Sequence, residues 1–264
     1  MKIFFSESNN DYTTYTFNYA VYCLKEQASE IPAIYQQGFL PYSSNINLQT
    51  ETYYLARSLR VNLNTFEDTS ENRRIDRKLT TLNISLQVIP KVAFDLSDNN
   101  FQQFCMGYAA ERFSNNAMNL PRFQYIIGRE SFNYVFQFET NGKIIGYIFT
   151  ILEGNMLHYW YAFFDTSYLD DMPIGKWMMW RTIKWAKEKE LDYVYLGTCY
   201  GNSALYKTRD FKGLAFFDGK QWNTDIKLLK EWCKADSELM PFDRFKQEPE
   251  PNQVLEGLLQ AQSA

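Results

Sequence analysis

The chain has 264 residues, 45% of them hydrophobic and 17% aromatic, with 21 Phe, 19 Tyr and 6 Trp. That much ring area excludes a disordered polar chain, and the length allows one large domain or two modest ones. A net charge of −4 and a sequence pI of about 5.3 leave no molecule-wide basic field for nucleic acid, so any phosphate contact needs a local patch.

The opening stretch "MKIFFSESNNDYTTYTF" holds too few consecutive apolar residues for a signal peptide, and no run approaches the ~18 apolar residues of a membrane span. Cys23, Cys105, Cys199 and Cys233 are far apart and form no CxxC pair. They read as free thiols of a cytoplasmic protein, which argues against a zinc site. Residues 1 to about 85 are polar, without strong periodicity. Pro32, Gly38 and Pro41 punctuate "EIPAIYQQGFLPYSSN" into turns, and "NLQTETYYLARSLRVNLNTF" reads as a strand pair.

In "LTTLNISLQVIP" (79–90), Leu82, Ile84, Leu86 and Val88 alternate with polar residues up to Pro90, which predicts a strand. Asp95 or Ser97 then caps a helix with Phe101, Phe104, Cys105 and Tyr108 on one face. "SNNAMNLPRF" reads as a loop. "FNYVFQFET" and "KIIGYIFTILE" flank Asn141-Gly142, the strongest short hairpin signal. Gly154-Asn155 turns the chain into "MLHYWYAFFD", which is apolar on both faces and therefore central and covered on each side. Residues 170–190 predict a helix capped by Asp170 or Asp171, with Pro173 in its first turn and Ile174, Trp177, Met178 and Trp185 at helical spacing. The strand "LDYVYLGTCY" follows. The class is α+β, on a mainly antiparallel sheet with one crossover.

Strand, hairpin, central strand, helix, strand is also the order of the second half of the GNAT acyltransferase fold. The stretch from Asn141 to Phe211 resembles the C-terminal half of the arginyl-tRNA–protein transferases. The residues that carry the likeness are Tyr161 to Asp165, Gly175, Tyr195-Leu196-Gly197, and Tyr206-Lys207 with Phe211. "YAAERFSNNAM" resembles a further family segment, with Arg112 in the arginine place and Phe113 where the family has histidine. "FEDTSENRRIDRK" resembles the family's run ending in Arg-Arg, here Arg73-Arg74. The ordered match spans roughly residues 60 to 235. The cysteine cluster that usually precedes the Arg-Arg run is missing.

The resemblance implies a GNAT-like domain over 86–235, an accessory segment over 1–85 that contacts tRNA or acceptor, and a tail over 236–264. It implies aminoacyl transfer, arginyl in the family, from aminoacyl-tRNA to the N-terminal amine of a protein or peptide, as in an N-degron. No cofactor, metal or membrane is needed. Such a transfer starts from an activated ester, so positioning, deprotonation of the amine and oxyanion stabilisation suffice. The implied catalytic residues are Asp165, Tyr195 and Gly197. Substrate contacts fall to Arg112, Tyr161, Tyr200, Tyr206 and Lys207, and tRNA contacts to Arg73, Arg74 and Lys78.

Each assignment has a plainer alternative. Gly197 is either a point of close approach or a sheet-edge glycine. Asp165 anchors an amine or caps the "DTSY" turn. Tyr206 and Lys207 meet the tRNA acceptor end or form a solvated face. Arg57, Arg60, Arg73, Arg74, Arg77 and Lys78 lie among Glu67, Asp68, Glu71 and Asp76, so they contact phosphate or make an ordinary surface. His158, the only histidine, sits in an apolar strand and reads as structural. Trp177, Trp180 and Trp185 read as packing, and the cysteines as core fillers.

Two rival functions stand beside this one. An N-acyltransferase using CoA needs a glycine-rich turn to cradle a diphosphate, and "DDMPIGKW" offers one glycine, a proline and two aspartates. A non-catalytic protein that kept the fold is the other.

Overall fold

The computed structural model describes residues 1–11, 16–48, 50–113, 118–168 and 172–236. The expected caps Asp170 and Asp171, and the expected tail beyond residue 236, lie outside them. Near the N-terminus the chain forms β1 (Lys2–Asp11), β2 (Thr16–Leu24), β3 (Phe39–Pro41) and β4 (Thr52–Leu55). They make a four-stranded antiparallel sheet in the order β1-β2-β4-β3. The short helix α1 (Ile31–Gln36) packs beside it, with Pro32 in its first turn.

The second sheet is built from β5 (Ser58–Asn62), β6 (Ser85–Pro90), β7 (Tyr134–Thr140), β8 (Lys143–Glu153), β9 (Met156–Phe164), β10 (Tyr193–Thr198), β11 (Leu214–Phe217) and β12 (Trp222–Asn223). Its order is β12-β11-β5-β10-β9-β8-β7-β6. Every neighbouring pair is antiparallel except β9 and β10. The helix α5 (Ile174–Glu188) makes the crossover between them. The expected α+β class with a mainly antiparallel mixed sheet is what forms.

Alternation along the strands divides the core into layers. Leu157 and Tyr159 of β9 and Val194 and Leu196 of β10 face α5 and its neighbours α2 (Ser70–Thr80) and α6 (Ile226–Ala235). Met156 and Tyr195 face the opposite way, into a core shared with Tyr35, Phe39 and Tyr53 of the small sheet and α1. Farther along, Tyr147, Phe149 and Phe163 meet Phe101 and Phe123 of α3 (Asn99–Arg112) and α4 (Leu120–Gly128). As expected, β9 is covered on both faces.

Several local expectations change. Two strands form within 47–66 but do not pair with each other, since β4 joins the small sheet and β5 the large one. Leu59 and Val61 are fully buried in the core beneath α5, so part of the expected accessory segment belongs to the large sheet. Residues 79–82 complete α2 and its closing turn rather than starting a strand, because Thr69 caps this helix on the Asn72 N–H at 3.2 Å and Ile75 and Leu79 turn inward. The cap of α3 is Asp98, accepting from the Asn100 N–H at 2.9 Å, while Asp95 closes a turn onto Ser97. The expected loop "SNNAMNLPRF" contains the start of α4, where Asn119 caps the Arg122 N–H at 3.0 Å and Pro121 stands in the first turn.

Candidate active site

The parallel pair β9 and β10 holds for three rungs only: Tyr193 with Met156, Val194 with Leu157, and Tyr195 with His158. Beyond that point each strand follows its outer neighbour. Tyr161 to Phe164 stay paired with β8, while Gly197 and Thr198 stay paired with β5. The Cys199 N–H then donates to the Arg57 carbonyl at 2.9 Å. Both strands change register at this level, β9 around Trp160 and β10 around Leu196, and bulges of this kind bend strands and re-aim their side chains. The result is a wedge between two strand ends whose facing edges have no strand partner. Unpaired backbone donors at such an edge are what a developing oxyanion requires.

Gly197 forms the floor of the wedge, with φ at +80°, a conformation that suits glycine. A Cβ built on it would stand 3.7 Å from Nε2 of His158 and 3.7 Å from Nζ of Lys207. Lys207 donates to the Thr198 carbonyl at 2.9 Å, satisfying an acceptor near the end of β10. His158 is 2% exposed. Its Nδ1 lies 2.7 Å from the Tyr35 hydroxyl, and its Nε2 has no hydrogen-bond partner among the described residues. Burial, aided by the Lys207 charge, pushes the imidazole down to about 3, so it is neutral near pH 7. Burial also pulls the Lys207 ammonium below its ordinary value.

The residues expected at the site divide into groups. Gly197 and Lys207 meet at the floor, and Tyr206 stands next in sequence with its ring half exposed. Tyr161, on the diverging end of β9, reaches the Ser43 hydroxyl at 3.1 Å. Tyr200 accepts the Arg57 backbone N–H at 2.7 Å, and the Arg57 guanidinium lies 4.6 Å from its ring. Arg112 lies beside Tyr108, whose ring packs 4.7 Å from Phe164 at the end of β9.

Tyr195 is turned away into the core between the sheets. It is 1% exposed, with its ring 4.9 Å from Tyr35 and its hydroxyl 3.4 Å from Nη1 of Arg60. Burial pushes its phenol up to about 12. Asp165 accepts from Lys143 at 2.7 Å, from the Ser167 N–H at 3.0 Å and from the Ser167 hydroxyl at 2.5 Å. That engagement matches the turn-capping alternative.

Arg73, Arg74 and Lys78 lie on the outward side of α2, across the sheet from the small N-terminal layer. Arg74 pairs with Glu71 at 2.7 Å, and Arg73 donates to the Asp68 carbonyl at 2.7 Å. The described residues hold no group of three or more His, Cys, Asp or Glu arranged for a metal.

The start of α5 is described from Met172 onward. Pro173 occupies the cap position without a side-chain hydrogen bond. The Phe164 ring stands 2.6 Å from the place of a Gly175 Cβ, so this glycine admits the ring. Lys176 is paired with Asp210.

His158 and Tyr35 are not among the residues that the sequence places at the site. The available signal is that the only histidine stands two rungs inside the end of an otherwise apolar strand.

Residues 131–212 match the acetyltransferase (GNAT) domain family, and these residues include β7 to β10 and the wedge. The fold also resembles the C-terminal domain of a putative lysylphosphatidylglycerol synthetase from Agrobacterium fabrum, at 13% identity and a TM-score of 0.43, over 64% of this chain and 51% of that one. FemX is similar at 11% identity and a TM-score of 0.42, over 68% of this chain and 63% of that one. An aminoglycoside acetyltransferase from an uncultured soil metagenomic sample is similar at 19% identity and a TM-score of 0.34, over 50% and 88%. The chain thus spans about half the length of the synthetase domain it matches. No curated protein matches. No helix of the described residues is long and apolar enough to cross a membrane.

Proposed function

We propose that this GNAT-domain protein transfers an aminoacyl group, arginyl by the resemblance of its motifs, from aminoacyl-tRNA to the N-terminal amine of a protein or peptide. The observation that carries the reading is the wedge between β9 and β10, and the sequence of the turn before α5, with one glycine, a proline and two aspartates, speaks against a diphosphate. An acyl ester entering the wedge meets unpaired strand edges and the Lys207 ammonium. The amine attacks the ester carbonyl, the C–N bond forms, and the C–O bond to the terminal ribose breaks. The reaction needs no covalent enzyme intermediate and no redox step. Arg112 beside the end of β9 suits an acidic acceptor N-terminus, while Tyr161, Tyr200 and Tyr206 offer rings to the terminal nucleotides. Arg73, Arg74 and Lys78 contribute phosphate contacts farther from the chemistry.

The test is to incubate the protein with mixed radiolabelled aminoacyl-tRNAs and peptides of varied N-termini, with labelled acetyl-CoA in parallel. Label moving from aminoacyl-tRNA to a peptide supports the reading. Label moving only from acetyl-CoA overturns it in favour of an acetyltransferase. No transfer from either donor overturns it in favour of a binding protein.

A further inference from the structure

The wedge contains one buried polar atom that the fold leaves unsatisfied: Nε2 of His158. A buried polar nitrogen without a partner is costly to the fold, so it invites a ligand atom. The tautomer follows from Tyr35. This phenol is 0% exposed, and among the described residues its hydroxyl has His158 Nδ1 as its hydrogen-bond partner, at 2.7 Å. Burial holds the phenol protonated. With this phenol as the donor, Nδ1 accepts and the single imidazole proton sits on Nε2. Nε2–H thus stands free at the floor of the wedge.

Lys207 approaches the same point. One of its three donors goes to the Thr198 carbonyl, which leaves others to aim into the wedge. The place of the missing Gly197 side chain is equidistant from both nitrogens, at 3.7 Å. An oxygen near that place lies close to both nitrogens. Two donors, one of them cationic, converge there with no acceptor of the protein between them. A Cβ at Gly197 would stand in this space.

We infer that His158 Nε2–H and the Lys207 ammonium form a two-donor cradle over Gly197 that binds the carbonyl oxygen of the acyl donor and holds it as it becomes an oxyanion. The inference rests on the acyl-transfer reading above and specifies its chemistry. Attack by the amine makes the C–N bond and moves the carbonyl π electrons onto the cradled oxygen. Collapse returns them, breaks the ester C–O bond, and leaves the amine's proton on the ribose oxygen. No other reactant is consumed. His158 works here as a neutral donor, fixed in its tautomer by Tyr35, which is a positioning residue. The apolar setting that makes the imidazole a poor base makes its hydrogen bond to a developing charge stronger.

Because the chain has one histidine, ¹⁵N-histidine labelling gives a single imidazole to observe by NMR. The wild-type spectrum should show the proton on Nε2 and a bare Nδ1 at neutral pH, and Tyr35→Phe should lose that fixed tautomer. A proton on Nδ1 in the wild type overturns the cradle whatever the activity.

In single-turnover transfer from arginyl-tRNA to an acidic-N-terminal peptide, His158→Leu and Lys207→Met should each lower the rate by about 10²–10³-fold. The KM for the tRNA should hardly change, since the contact strengthens only in the transition state. His158→Gln, which can place an amide N–H near the Nε2 position, should recover part of the rate. It also serves where His158→Leu fails to fold, as judged by thermal melting. A wild-type enzyme that transfers from aminoacyl-tRNA while all three variants keep its rate overturns the cradle and leaves the proposed function standing. A wild type that transfers nothing from aminoacyl-tRNA overturns the proposed function, and the oxyanion role with it.

Discussion

The ring of Phe164, the last residue of β9, occupies the space beside Gly175 in the first turn of α5, 2.6 Å from where a Cβ would stand. At this one point the strand end that forms the wedge and the helix that would receive a diphosphate are locked together. Phe164 also packs on Tyr108 at 4.7 Å, so displacing it disturbs the wall that carries Arg112.

Gly175→Ala should therefore destabilise the protein by about 1–3 kcal/mol through overpacking, despite the better helix propensity of alanine. Thermal melting with and without CoA checks both halves of this claim. The variant should melt lower than wild type, and CoA should shift neither protein. A CoA-dependent rise in melting temperature would show that the start of α5 receives a diphosphate after all.

Replacing Arg73 and Arg74 together by alanine should weaken tRNA binding and flatten its salt dependence, by roughly one unit of log–log slope for each phosphate no longer neutralised. Arg74 is exposed and held by Glu71, and Arg73 by the Asp68 carbonyl, so stability should change by less than about 1 kcal/mol. Filter binding across a salt series is the measurement. An unchanged slope removes both residues from the tRNA surface.

What is legible in the sequence follows the range of the forces involved. The strands from β7 to β10 are apolar, β9 on both faces, and are separated by Asn141-Gly142, Gly154 and a helix, all local signals. The small sheet is not legible, since its Tyr, Asn and Thr residues show no clean period and its pairing joins segments such as β2 and β4 that are distant in sequence. The helix α2 hides because its inward stripe is only Asn72, Ile75 and Leu79. Gly197 and Lys207 follow from motif order, and they do meet. His158 reads as structural in the sequence because its meaning depends on Tyr35, 123 residues earlier. No local pattern reveals which nitrogen of a buried ring is left without a partner.

Asp236 pairs with Arg57 at 2.8 Å and accepts the Gly201 N–H at 2.7 Å, with the Arg57 and Asp236 side chains 7% and 12% exposed. Asp236→Ala strips this carboxylate from a buried guanidinium and should cost about 3–5 kcal/mol. Because Gly201 opens the segment that leads to Lys207, hydrogen exchange over residues 200–208 should rise together with the loss of stability. Unchanged exchange there would confine the pair to anchoring α6.

All four cysteines are free and buried, and burial pushes the Cys23 and Cys199 thiols up to about 12. Cys199 and Cys233 lie 3.7 Å apart with their sulfurs in contact. A thiol reagent at pH 8 should therefore find almost no reactive thiolate in the folded protein and four in denaturant. Rapid labelling of the native protein would contradict the burial of these residues.

His158 also makes stability depend on pH in a defined direction. Its folded pKa is about 3, against about 6.5 for the unfolded chain. Between those values the unfolded state binds a proton that the folded state refuses, so stability rises with pH. The contribution is constant above about pH 6.5 and is lost at about 1.4 kcal/mol per pH unit as the pH falls toward 3. His158→Gln removes the titrating group. The difference in unfolding free energy between wild type and this variant should be flat from pH 7 to 8. It should shift against the wild type by about 2–3 kcal/mol between pH 6.5 and 4.5. Urea melts at fixed salt supply the measurement, and the subtraction cancels the carboxylates that titrate in both proteins. A difference that stays flat to pH 4.5 would mean that the imidazole accepts a proton in the folded state, which would place it in contact with water rather than sealed at the floor of the wedge.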